Sequence, residues 1–153
     1  MTASHSACKR LADLTQDATF QIASSPIAVR DALRDISGHP VMAHLTDDAR
    51  GTADLVLAEA LNNIVEHAYD RDDGRIELHL KRLPGRLQCD VLDNGIAMPN
   101  NQLPEGKPRD VNCPDDLPEG GFGWFLIRHL TENLNYRRID ACNHLSFQLI
   151  IEQ

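Results

Sequence analysis

A chain of 153 residues with 15 Lys and Arg against 23 Asp and Glu has room for one domain with a real core, and its net charge is −8. That acidic balance argues against a nucleic-acid surface, which needs a basic stripe to neutralise phosphates. No apolar run could span a membrane, residues 1–20 lack a signal-peptide apolar stretch, and the scattered Cys8, Cys89, Cys113 and Cys142 fit reduced thiols in a cytoplasmic protein better than zinc or a disulfide framework.

Residues 1–18 are polar and read as a loose leading segment, with a single domain expected over residues 19–153. Thr19–Ala23 reads as a first strand. Ser25-Pro26 is a sound helix start, with Pro in the first turn, and this helix runs to about Ser37 before Gly38 and Pro40 close it. Thr46 caps a second helix, and Asp47 and Asp48 stand near its positive end. At about 100° per residue, its later turns gather Glu59, Asn63, Glu66 and His67 into one sector, with Asn62 at the edge. Leu57, Leu61, Ile64 and Ala68 fall opposite and are expected to face the core. Two successive Asn are poor helix formers, because their amides compete for the backbone. A solvated polar face is the plain reading; a binding face is the other.

Gly74–Arg82 alternates apolar and polar, Leu83-Pro84-Gly85-Arg86 turns, and Leu87–Leu92 alternates again into Asp93-Asn94-Gly95. An acid thus ends a strand and is followed by a residue free to take φ > 0. Residues 98–118 hold five of the eight prolines and no apolar period, which excludes a helix or a central strand. A structureless stretch of that length in a small domain is functional or a plain surface loop. Gly106-Lys107 is not a Walker loop, since Pro108 stands where Ser or Thr is needed; Lys107 or Arg109 could still meet a phosphate as a point charge. Glu119-Gly120-Gly121-Phe122-Gly123 then runs into an apolar helix from Phe125 to Leu130. Bare glycine backbone at a helix start suits an anion, because N–H groups can approach it and the helix end is positive. Leu134–Ile139 and His144–Ile151 close the chain as a second hairpin. The expected fold is a two-layer α/β (α+β) sandwich: a mixed, mostly antiparallel sheet covered on one face by about three helices.

Each motif alone is weak. In this order, the chain resembles the ATP-binding domain shared by DNA gyrase B, Hsp90, sensor histidine kinases and MutL (the GHKL superfamily, with its Bergerat fold), over roughly residues 20–151. It looks most like the anti-sigma-factor serine/threonine kinases. Glu59, Asn63 and His67-Ala68-Tyr69 match their first motif, Asp93 and Gly95 their second, and Gly121-Phe122-Gly123 with the apolar helix their third. Two departures stand out: Ala97 where the second motif has Gly, and Trp124 where a small aliphatic residue follows the last Gly.

The resemblance implies ATP and Mg²⁺ as cofactors. It makes Glu59 the base for the attacking hydroxyl, Asn63 the Mg²⁺ ligand through its amide oxygen, and Asp93 the acceptor for the adenine amino group. Gly95, Ala97 and Met98 pass close to the base. Gly120, Gly121, Phe122 and Gly123 present N–H groups to phosphates, and Ser146 stands in the last strand near adenine. His67 is a structural hydrogen-bonding residue or a ligand contact. An ATP lid is placed at about residues 96–119. The implied partners are a sigma factor and an antagonist protein of the STAS type, with a homodimer as a further reading; Val29, Arg30, Leu33 and Arg34 are candidates for a partner or dimer surface, and the plain alternative puts Val29 and Leu33 in the core with the arginines solvated. The implied activity is phosphoryl transfer to a Ser or Thr of the antagonist. A non-catalytic ATP-binding module that sequesters a partner, and a histidine-kinase-like catalytic domain, are the alternatives. The short stretch before the first strand is expected to exclude the helical dimerisation segment of a sensor kinase.

Overall fold

The computed structural model describes residues 17–69, 74–106 and 121–151. Strand β1 (Asp17–Ala23) leads to helix α1 (Pro26–Ser37), a 3-10 turn (Pro40–Met42) and the long helix α2 (Asp47–His67). The hairpin β2 (Arg75–Leu83) and β3 (Arg86–Asp93) follows, then a 3-10 turn (Pro99–Asn101), α3 (Gly121–Leu130), and the hairpin β4 (Glu132–Ile139) and β5 (Cys142–Ile150). Local chemistry explains the helix starts. The Ser25 hydroxyl accepts from the Ala28 N–H, and the Thr46 hydroxyl from the Ala49 N–H, so each satisfies a donor the helix leaves unpaired.

The sheet order is β1-β2-β3-β5-β4, and every pairing is antiparallel among the described residues. The expected mixed sheet is therefore wholly antiparallel here, because β5 returns from its hairpin with β4 and enters beside β3 running against it. Alternation then sorts side chains between two faces. Leu78, Leu80, Val91, Leu145 and Phe147 point to the core shared with Val56, Leu57, Leu61 and Ile127 of the helices. The other face is polar and wet, as an antiparallel sheet permits: His144 meets Asp90 at 3.0 Å, and Gln148 donates to Gln88 at 2.9 Å.

Val29 is buried and Leu33 half-buried against the core, so of the expected partner surface on α1 only Arg30 and Arg34 stand exposed. No helix among the described residues is long and apolar enough to cross a membrane.

Candidate functional site

Helix α2 supplies one wall of a cavity. Burial of Leu57, Ala60, Leu61 and Ile64 turns its other side toward α3. Asn63 is buried, only 6% exposed, with its amide nitrogen unpaired. An orphaned buried amide costs about 1–3 kcal/mol and points to an absent partner. Glu59, one turn earlier, is half-buried. A Cβ on Gly123 would sit 2.5 Å from Glu59 Oε2 and 3.4 Å from Asn63 Nδ2. The glycine therefore lets the first turn of α3 lie directly against both side chains. That turn begins at Gly121, earlier than the expected Phe125, so its free N–H groups belong to the glycine segment itself. His67 reaches the cavity rim, where its ring is exposed and lies 3.6 Å from Glu66.

The floor comes from β3. Asp93 is buried, and its Oδ1 accepts from the Gly95 N–H at 2.9 Å and from Asn143 Nδ2 at 2.8 Å. Burial pushes its carboxyl above the ordinary range, while those two donors and nearby Arg138 pull it back. Tyr69 braces the same corner. Its hydroxyl donates to Arg75 O at 2.8 Å and accepts from the Asn94 N–H at 2.9 Å. Ala97 and Met98 line the cavity beyond Asp93, and Ala97 keeps a negative φ, so its methyl replaces a glycine without backbone strain. Trp124 is both buried in the core and part of the wall. The cavity opens to solvent between α2, the loop after β3 and β5.

Five of the expected binding residues thus meet around one cavity: Asn63, His67, Asp93, Ala97 and Met98. Glu59 and Gly123 adjoin it through Asn63, and Gly95 is buried beneath Ala68. Phe122 projects outward, 45% exposed, and stacks on Phe125, leaving only its backbone for the site. Gly120 lies outside the described residues, as do Lys107, Arg109 and the rest of the expected lid beyond Gly106. The described start of the segment expected to be a lid is fastened to α3: Arg128 donates to Pro104 O at 2.8 Å and to Leu103 O at 3.3 Å.

Ser146 is a correction. It pairs with Asp90 on the polar face of the sheet, away from the cavity. Asn143, in register with Asp93, lines the cavity instead. The signal was available, since Asn143 shares the phase of Leu145, Phe147 and Leu149, and Ser146 does not. Tyr136 and Arg138 also reach the site and carried no sequence motif.

The raised carboxyl of Asp93 has a measurable consequence. The folded state holds that proton more tightly than the unfolded chain does. Folding stability therefore falls as pH rises from the ordinary carboxylate value through the raised one, then levels off. Asp93→Asn removes the charge and still offers an amide oxygen to Gly95 and Asn143. Its stability relative to the wild type is expected to grow in urea titrations as pH rises above the ordinary carboxylate value, and then to level off. A difference that stays flat with pH would assign the burial cost elsewhere.

Comparison with known proteins places this geometry. The family described as histidine kinase-like ATPase domain matches residues 22–149. The serine-protein kinase RsbW of Bacillus cereus (strain ATCC 10987 / NRS 248) is 38% identical over 82 residues, 52% of this chain and 51% of that protein. Its counterpart from Bacillus anthracis is 37% identical over the same share. The chain spans about half the length of the curated relatives it matches. Among solved structures, the histidine kinase domain of the Erythrobacter litoralis EL346 blue-light activated histidine kinase is similar in fold, with a TM-score of 0.51 at 21% identity. That likeness covers 82% of this chain and 60% of that one.

Proposed function

We propose, from the premise that this chain belongs to the histidine kinase-like ATPase domain family, that it is an ATP-dependent serine/threonine protein kinase of the anti-sigma type. It would transfer the γ-phosphoryl group to a Ser or Thr of an antagonist protein in the cytoplasm and alternate between that antagonist and a sigma factor. The RsbW relatives support the kinase assignment. The observation that carries the nucleotide reading is Asp93: a buried carboxylate at the cavity floor whose Oδ1 is engaged and whose Oδ2 takes no hydrogen bond among the described residues. Asp93 lines the cavity, so that acceptor is available to a donor on a ligand. The exocyclic amine of adenine is such a donor.

Glu59, Asn63 and the first turn of α3 divide the remaining work. The unpaired α3 N–H groups and the helix dipole favour phosphate oxygens. Asn63 fits a hard cation through its amide oxygen once the nitrogen faces a ligand or water, and Mg²⁺ when bound supplies neutralisation of phosphate charge. Glu59 stands one turn away as the base for the attacking hydroxyl.

Thermal unfolding with and without Mg·ATP, repeated with Mg·GTP, tests the reading. Ligand at 100 times its dissociation constant adds about 2.7 kcal/mol. For a domain of this size the midpoint should rise by several degrees. The shift is expected with ATP, smaller with GTP, and absent in Asp93→Asn. No shift at millimolar ATP would leave the partner-sequestering reading alone standing.

A further inference from the structure

Asn143 is 4% exposed, and its amide has no hydrogen-bonding capacity left for a ligand. Nδ2 donates to Asp93 Oδ1 at 2.8 Å and to Ile96 O at 3.0 Å. Oδ1 accepts from the Tyr136 hydroxyl at 2.6 Å and from Arg138 Nη1 at 2.9 Å. Arginine has no acceptor, so its position identifies the amide oxygen and fixes the orientation. The same two residues reach the loop that follows Asp93. Tyr136 accepts from the Met98 N–H at 3.0 Å, and Arg138 donates to Gly95 O at 2.7 Å.

Resting on the nucleotide reading above, we propose that Asn143 sets the base preference of the cavity. It acts as a positioning residue: it occupies Asp93 Oδ1 so that only Oδ2 can meet a base. Adenine presents one donor group, its amine, beside a ring nitrogen that accepts. Guanine presents two adjacent donors, a ring N–H and the 2-amine, which a carboxylate can accept as a two-pronged pair. With Oδ1 held by Asn143 and the Gly95 N–H, that pair cannot form, and guanine loses its advantage. Discrimination here comes from blocking the competitor as much as from recognising the ligand. Tyr136 and Arg138 keep the block in place by holding the amide from behind.

Dissociation constants for Mg·ATP, Mg·GTP and Mg·ITP, measured by calorimetry on the full chain, test this directly. Asn143→Leu, of the same branched shape, opens one of the two acceptor positions on Oδ1 while the Gly95 N–H keeps the other. The wild type is expected to prefer ATP, and the variant to narrow the ATP:GTP ratio by about tenfold, one hydrogen bond's worth. GTP should gain more than ITP, which lacks the second donor; a purely structural defect would not separate the two. Tyr136→Phe, which leaves Asn143 in place but removes one of its anchors, should narrow the ratio in the same direction by about threefold. Parallel loss of all three affinities with an unchanged ratio would overturn the role of Asn143 and leave the nucleotide reading intact. If Asn143→Leu does not fold, an unchanged ratio in Tyr136→Phe overturns it instead. A wild type that binds none of the three sinks the nucleotide reading and this proposal together.

Discussion

Glu59→Gln is expected to lose phosphoryl transfer by about 10²–10⁴ while holding Mg·ATP nearly as tightly as the wild type. The substitution is close to isosteric, so packing of α2 against the first turn of α3 survives, and only proton acceptance is removed. Position makes the expectation specific. Ala60 and Leu61 are fully buried and fix the roll of the helix, which leaves Glu59 half-buried at the contact with Gly123 and one turn from Asn63. The measurement is initial transfer of labelled phosphate to a STAS-type antagonist at saturating Mg·ATP, with nucleotide affinity measured on the same preparation. Loss of both together would make Glu59 a structural contact of the phosphate end. An unchanged rate would place the base elsewhere. A wild type that binds ATP yet transfers nothing would favour the non-catalytic module.

Much of this arrangement is legible in the residues, for reasons that differ by element. The strands announce themselves because one face is buried and the other wet, and period-two alternation through Ile76, Leu78 and Leu80 records that directly. The helix starts are equally plain, since Ser25 and Thr46 satisfy donors a helix cannot pair itself. The site is legible only in part. Glu59, Asn63 and Asp93 sit in motifs dense enough to recognise. The network behind Asp93 does not, because Tyr136, Arg138 and Asn143 are brought to it by strand register, a property of pairings 40 to 50 residues apart in the chain. Ser146 lies on the opposite face from Asn143 for the same reason, since three residues along a strand reverse the face. The irregular register between Glu132 and Asn135 on β4 also carries no mark in the sequence.

The glycine of the motif that Asp93 opens supplies room. Gly95 is free to take a positive φ but does not, and the close approach it permits in this fold is to Ala68. A Cβ there would lie 2.6 Å from the Ala68 Cβ and closer still to the Ala68 carbonyl oxygen. Neither neighbour can yield cheaply. The Ala68 carbonyl accepts from the Ile96 N–H at 2.7 Å, and the Gly95 N–H is committed to Asp93. The end of α2 and the start of the loop are thereby pressed together, which sets the distance between Asn63 and Asp93 across the cavity. Gly95→Ala is therefore expected to cost about 1–3 kcal/mol by overpacking and to lower the unfolding midpoint by several degrees. Because the strain falls on the carboxylate's own hydrogen-bond donor, the midpoint shift produced by Mg·ATP should vanish as well. Retention of that shift in a destabilised variant would separate the two effects and show that α2 and the loop can part without spoiling the floor of the site. An unaffected midpoint would mean the crowding at Ala68 relaxes freely, and the glycine would then need another explanation.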